Sequence, residues 1–195
     1  YNNPAAVNGI QAAKGLPVKV ILYRGYAGNI HWYDPTVYTK FLHPRVDKIL
    51  CNSQGVADEI NKQLFFDKRK TIVVNKGHRL EWYKDIKPLD VRKEFNLPDD
   101  AFVIINVANN RRMKGIPYLM KAMNMLPPGL PIHLLLVGGN MDTKANLSLI
   151  ESGGYKNNVH FVGFRDDVLN IVAASDVFAS ASIKGESITK SIIEA

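Results

Sequence analysis

Short apolar runs alternate with helical stripes along most of the chain. Residues 18–23, 48–51, 71–74, 102–107, 132–137, 159–162 and 177–179 are compact apolar runs bounded by Gly, Pro, Asn, Ser or Asp, and each predicts a strand. Between them, Val56, Ile60 and Leu64 recur at i, i+4 and i+8 behind Ser53, a natural N-cap, which predicts a helix. Ile116, Leu119, Met120 and Met123 form a second stripe. Residues 144–152 form a weaker one, and Asp166 or Asp167 is placed to cap a helix through Ala174. Short helices are expected over 35–42 and 90–95, and a last helix from Ser187; residues 25–44 otherwise read as loop. Repeated strand–helix alternation with short connections predicts parallel sheets covered on both faces, with ligands at the carboxyl ends of the strands. The breaker Asn96-Leu97-Pro98-Asp99-Asp100 is the best linker, so a first domain is expected over 1–98 and a second over 99–195.

With 195 residues, 46% of them apolar and 22% charged, the chain can bury one large core or two small ones. It has no run of about 18 apolar residues and no basic-then-apolar start, so neither a membrane span nor a signal peptide is visible. The chain opens on Tyr1 rather than Met and stops at Ala195 inside a helical pattern, which leads us to expect a fragment cut at both ends. Cys51 is the single cysteine; it excludes an internal disulfide, fits a reducing compartment, and should pack as a small hydrophobe at a strand end. The net charge of +7 is unevenly held: residues 1–98 carry 16 Lys and Arg against 9 Asp and Glu, while residues 99–195 carry 9 of each. The surplus suits an anionic partner such as a phospholipid surface, a lipid-phosphate acceptor or nucleic acid; a merely solvated basic face is the alternative.

Candidate chemistry gathers where loops follow strands. Asn109-Asn110-Arg111-Arg112-Met113-Lys114-Gly115 is a basic loop after the run 102–107 and before a helix, where an anion would meet side-chain cations and helix N–H groups. Gly138-Gly139, Gly163-Phe164-Arg165 and Gly185-Glu186 follow other strands on the same edge, and their glycines allow a ligand to approach the backbone. Glu186 and Glu194 lie eight positions apart; if a helix runs from Ser187, Glu194 sits roughly two turns down it, at about 100° per residue. Arg24, His31, Trp32 and Tyr33, after the first run, are a further candidate site, with packing the alternative. Phosphate-loop, dinucleotide and nucleophile-elbow spacings are all missing, as are Asp-x-Asp pairs and zinc spacings among the five histidines.

From about Asp47 onward the chain resembles the family 4 glycosyltransferases of the GT-B fold, the glycosyl transferases group 1. The resemblance is carried by Val46-Asp47-Lys48-Ile49 through Ser53, Asn75-Lys76-Gly77, residues 107–115, residues 134–139, and Phe161-Val162-Gly163-Phe164-Arg165-Asp166-Asp167 through Ala195. Its most specific part is Glu186 and Glu194 after a Ser-Asp-Val-Phe strand. The resemblance implies an α/β architecture of two Rossmann-like parallel-sheet domains, the N-terminal, acceptor-side one incomplete and the C-terminal one binding the donor nucleotide-sugar. It implies that Glu186 contacts the donor sugar, Glu194 the ribose, and Lys114 with Arg111 or Arg112 the diphosphate. Backbone around Ser187, Ile188 and Thr189 would meet phosphate or sugar oxygens, Gly163, Phe164 and Arg165 the base, and Asn109 and Gly139 would complete the donor site. Two departures stand out: Asn109 replaces the usual arginine of the basic loop, and Ser187 the usual glycine. Relatives often carry a histidine after the early strand, where this chain has Arg24; His31 is the alternative.

These expectations define a retaining, metal-independent glycosyltransferase with no cofactor, moving a sugar from a UDP- or GDP-sugar to an acceptor glycan, lipid-linked sugar or small molecule. Fixed cations and backbone N–H groups would stabilise the departing diphosphate. The expected location is cytoplasmic, peripheral on the inner face of the membrane through the basic N-terminal half, and no nucleic-acid partner is expected. A GT-B nucleotide-sugar epimerase and a non-enzymatic basic polyanion-binding module are the competing readings. A fragment of this kind is expected to bind nucleotide but to catalyse weakly or not at all.

Overall fold

The computed structural model describes residues 3–65, 67–75, 77–151, 153–184 and 189–195. The chain divides into two compact units, one reaching Gly77 and the other comprising His78–Lys184 with Thr189–Ala195. The division falls ahead of residue 98 because Leu89, Val91, Phe95 and Leu97 pack into the second unit's core rather than linking the two. Arg92 fastens that segment: its guanidinium donates to the Ala101 carbonyl at 2.7 Å and to the Asp99 carbonyl at 3.2 Å.

The first unit holds a parallel sheet of β1 (Ile21–Arg24), β2 (Lys48–Cys51) and β3 (Thr71–Val73), in the order β1-β2-β3. It carries two helices, α1 (Asn3–Ala12) and α2 (Gln54–Gln63). The Ser53 hydroxyl accepts from Val56 N at 3.3 Å, capping α2 as its position predicts. The expected stripe Val56, Ile60 and Leu64 is buried with Val46, Ile49 and Cys51. Cys51 is a free thiol at the end of β2, and burial pushes its pKa up, against the pull of the Arg24 charge. The run expected over 18–23 is strand only at Ile21–Arg24, and there Ile21 and Tyr23 stay exposed, so it is not a buried strand. Helix α1 was not legible, since Asn-Pro-Ala-Ala-Val-Asn-Gly reads as loop. Pro4 falls in its first turn, where its missing N–H costs nothing, and the helix buries Ile10.

Residues 25–44 form the expected loop, with a 3₁₀ turn at Pro35–Thr39 capped by Asp34. Arg24 organises its start. Its guanidinium donates to the carbonyls of Tyr26 and Gly28 and lies over the rings of Tyr26 and Phe41. Trp32 and Phe65 meet edge to face at 5.6 Å and, with Tyr33, remain exposed.

The second unit is built on β4 (Phe102–Val107), β5 (Ile132–Val137), β6 (Val159–Gly163) and β7 (Val177–Phe178). All pairings are parallel and the order is β6-β5-β4-β7. Four helices follow in the chain order α3 (Val91–Glu94), α4 (Ile116–Asn124), α5 (Lys144–Glu151) and α6 (Val168–Val172), and α7 (Lys190–Glu194) comes last. One face of the sheet packs the α4 stripe, Ile116, Met120 and Met123, against Leu134 and Leu136. The other packs Val91 and Ile171 against Val103, Ile105 and Leu135. Burial of both faces explains why β4 and β5 read as largely apolar runs, with buried Asn106 and His133 the polar positions inside them.

Candidate functional site

The sheet order places the strand that leads the unit, β4, between β5 and β7. In such sheets the loops at the carboxyl edge diverge beside that strand and leave a crevice. A cleft of about 460 Å³ lies there. Its walls come from the ends of three strands: Val107, Ala108 and Asn109 after β4, Val137, Gly138 and Gly139 after β5, and Phe164 and Arg165 after β6. Lys114 reaches it from the β4–α4 loop, and Thr189, Lys190, Ser191 and Glu194 close it.

Glycines let these loops approach each other. Gly138 has φ +142°, and a Cβ on it would stand 1.7 Å from the Ala108 carbonyl oxygen. Gly115, at φ +67°, would place one 1.9 Å from the carbonyl oxygen of Ala181, in the segment after β7. No side chain fits at either position. Gly138 N also donates to the Gly163 carbonyl at 2.7 Å, joining the β5 and β6 loops. The edge is thus a set of backbone segments in mutual contact, with side chains projecting from it.

Seven residues expected in the donor site line the cleft together: Asn109, Lys114, Gly139, Phe164, Arg165, Thr189 and Glu194. Arg111 and Arg112 do not line it; both are exposed on the turn before α4. Gly163 stands just behind the lining. Glu186, Ser187 and Ile188 lie outside the described residues.

Arg165 is in the wall but committed elsewhere. Its Nε and Nη2 donate to the two Asp167 oxygens, each at 2.7 Å, and its Nη1 donates to Glu94 at 3.0 Å. Two carboxylates hold its pKa above even the usual guanidinium range, and Arg165 in turn holds the Asp167 carboxyl below its own. Asp167 therefore does not cap α6 with its side chain, as its position had suggested, because the bidentate pair takes both oxygens.

The start of the last helix also differs from expectation. Thr189 is extended, at φ −81° and ψ 147°, and α7 begins at Lys190 rather than Ser187. Thr189 is β-branched, which favours extended backbone; Glu186 and Ser187, on which the angular relation between the two carboxylates rests, lie outside the described residues. The Thr189 hydroxyl is buried without a hydrogen-bond partner among the described residues, a polar atom that a ligand in the cleft would satisfy. Lys190 pairs with Glu194 at 2.9 Å across one turn of α7, and the carboxylate's side chain is only 10% exposed. The hydrogen bond and charge of Glu194 raise the Lys190 pKa, and the Tyr83 phenol adds to the effect. Sequence reasoning missed Lys190. Its only signal was position, a cation midway between two singled-out acids.

A parallel sheet of this order, with lysines and a carboxylate converging at its carboxyl edge, has a Rossmann-like layout. The chain belongs to the glycosyl transferases group 1, whose family model matches residues 87–195. It is 27% identical to the O-antigen biosynthesis glycosyltransferase WclY of Escherichia coli over 49% of this chain and 26% of that one. Likewise it is 27% identical to the lipopolysaccharide core biosynthesis glycosyltransferase LpsE of Rhizobium meliloti, over 70% of this chain and 37% of that one. Among solved structures, Anabaena HepE in complex with UDP superposes with a TM-score of 0.81 at 22% identity, covering 100% of this chain and 55% of that one. The chain thus spans between a quarter and two fifths of these two curated relatives and about half of HepE. Its fold is that of the GT-B glycosyltransferases, in two parallel-sheet units.

Proposed function

We infer that this chain is the nucleotide-sugar-binding part of a retaining glycosyltransferase that needs no metal, uses a UDP- or GDP-sugar and transfers the sugar to an acceptor hydroxyl. The observation that carries this is the cleft itself, which brings Lys114, Glu194 and the unpartnered Thr189 hydroxyl to the carboxyl edge of β4, β5 and β6.

In this reading Lys114 neutralises charge developing on the diphosphate as the sugar–phosphate bond breaks, in a site where fixed cations need little reorganisation. Arg111, a catalytic cation in this reading, or its neighbour Arg112 adds charge near the diphosphate from the exposed turn before α4, outside the cleft lining. Glu194 accepts from ribose hydroxyls, and Glu186 from hydroxyls of the donor sugar. Phe164, 78% exposed, offers a ring face to the base, while Arg165 holds the β6 loop in place through Asp167 and Glu94. Asn109, Gly139, Gly163 and the backbone at Ser187 and Ile188 complete the donor pocket. The acceptor hydroxyl attacks from the face the diphosphate leaves, forming one C–O bond as the other breaks and passing its proton to the departing phosphate oxygen. O-antigen and lipopolysaccharide-core assembly among the relatives favours a lipid-linked glycan as acceptor, at an anionic membrane face on the cytoplasmic side.

Titration calorimetry with UDP and GDP on the wild type and on Lys114→Ala tests the assignment. The expected outcome is nucleoside-diphosphate binding that weakens roughly tenfold or more in the variant, the loss of one charge-assisted contact. Equal affinities would remove Lys114 from the diphosphate. With the full-length protein, donor and acceptor, an epimerised donor without a new glycoside would replace transfer by epimerisation.

A further inference from the structure

The cleft contains one cation that the reading above leaves idle. Lys190 lines it beside Thr189, and its ammonium sits 2.9 Å from Glu194. The pair is lopsided: 66% of the lysine side chain is exposed, against 10% of the carboxylate. A carboxylate so enclosed, left without a counter-charge or hydrogen bonds, is costly, so an empty cleft needs Lys190 where it stands. A bound nucleotide changes the balance. Ribose hydroxyls donating to Glu194 would satisfy the carboxylate in place of the ammonium. The exposed lysine, on a flexible four-carbon stem, would then be free to turn within the same cleft.

The other cations cannot easily fill that role. Arg165 is held by three hydrogen bonds to Asp167 and Glu94. Arg111 and Arg112 are not in the lining, and Asn109 brings an amide into the wall where a cation would serve a phosphate better. Among the described residues of the lining, Lys190 is a cation whose partner, Glu194, is the carboxylate assigned to the ribose.

We propose that Lys190 is a second diphosphate ligand, handed from Glu194 to the phosphates when the ribose takes over that carboxylate. The proposal rests on the nucleotide-sugar reading and deepens it. Recognition of the two halves of the nucleotide becomes coupled: the ribose opens the ion pair, and the phosphates take up the released cation. A nucleoside lacking phosphates must open the pair without that return, which lowers its affinity relative to the diphosphate.

The test compares a nucleoside with its diphosphate, uridine with UDP and guanosine with GDP, on the wild type, Lys190→Gln and Lys190→Arg. Lys190→Gln should weaken the diphosphate roughly tenfold, leave the nucleoside unchanged or tighter, and flatten the salt dependence of diphosphate binding. Lys190→Arg should keep most of the diphosphate affinity. Equal weakening of nucleoside and diphosphate would mean that Lys190 only positions Glu194, and unchanged binding of both would make it a bystander; either result overturns the proposal. A wild type that bound neither UDP nor GDP would remove the nucleotide-sugar reading itself. Wild-type binding with an unaffected Lys190→Gln removes this inference alone.

Discussion

His133 and His160 face each other on adjacent strands, β5 and β6, with Nδ1 and Nε2 3.1 Å apart and the rings stacked. Both lie near the amino ends of their strands, away from the cleft edge. Two neutral imidazoles share one N–H between them, whereas two imidazolium ions would set N–H against N–H. Burial lowers the pKa of both, and a charged His133 lowers that of His160 further. The unfolded chain therefore takes up protons first. Stability is full above the unfolded value of about 6.5 and falls as the pH drops through and below it, by at most about 1.4 kcal/mol per pH unit for each proton. Urea midpoints at pH 7.5 and 5.5 should show this loss, and His160→Phe should reduce it; a parallel loss in the variant would place the acid sensitivity elsewhere. At this scale the sequence was partly legible. Lys114 stood out as a cation on a loop after a strand and Glu194 through the resemblance's paired acids, and both line the cleft. The commitment of Arg165 to Asp167 and Glu94 was not legible, because Glu94 comes from α3, 71 residues earlier.

Strand cores were the most legible elements. β2, β4 and β5 have the bounds their apolar runs predict, since largely buried strands leave a dense apolar signal. Element ends and exposed elements were less so: α1 was missed and β1 is shorter than its run, because a half-exposed segment carries little periodicity. One polar position inside a core strand turns out to link elements. Asn106, buried in β4, donates from Nδ2 to the Ala179 carbonyl at 2.7 Å, just past β7. β7 pairs with β4 over only two register positions, and this bond joins the Ala179 N–H, which donates to the Ile105 carbonyl at 2.8 Å, in holding the chain as it leaves the sheet. Asn106→Ala should lower stability by about 1–3 kcal/mol, the range for a lost buried hydrogen bond. It should also raise hydrogen exchange around residues 177–183 more than in β5. Uniform exchange across the sheet would show that β7 is held by other means.

For the molecule as a whole, strand–helix alternation, the breaker at 96–100 and the resemblance foretold two parallel-sheet units but not the position of their division. Proline and acidic residues at 98–100 look like a linker, yet Leu97 and Ala101 on either side are core. Charge adds a second large-scale feature. The basic surplus of residues 1–98 occurs in the same stretch as exposed Trp32, Tyr33 and Phe65, a combination suited to an anionic bilayer surface, where aromatic rings lie at the headgroups. Sedimentation should show binding to phosphatidylglycerol vesicles that is lost at high salt, weak on phosphatidylcholine, and reduced by Trp32→Ala with Phe65→Ala. Equal binding to both lipids, or none at low salt, would remove the membrane reading. No helix among the described residues is long and apolar enough to cross a membrane. The strand order β6-β5-β4-β7 has one more consequence, in time rather than space. Three of the cleft's walls are encoded before residue 166, but its closing wall is α7, residues 190–194, delivered by the lightly paired β7. As the polypeptide leaves the ribosome, β4, β5 and β6 can associate while the cleft is still open on one side. Any ligand can help complete this unit only once the carboxylate of Glu194 has emerged.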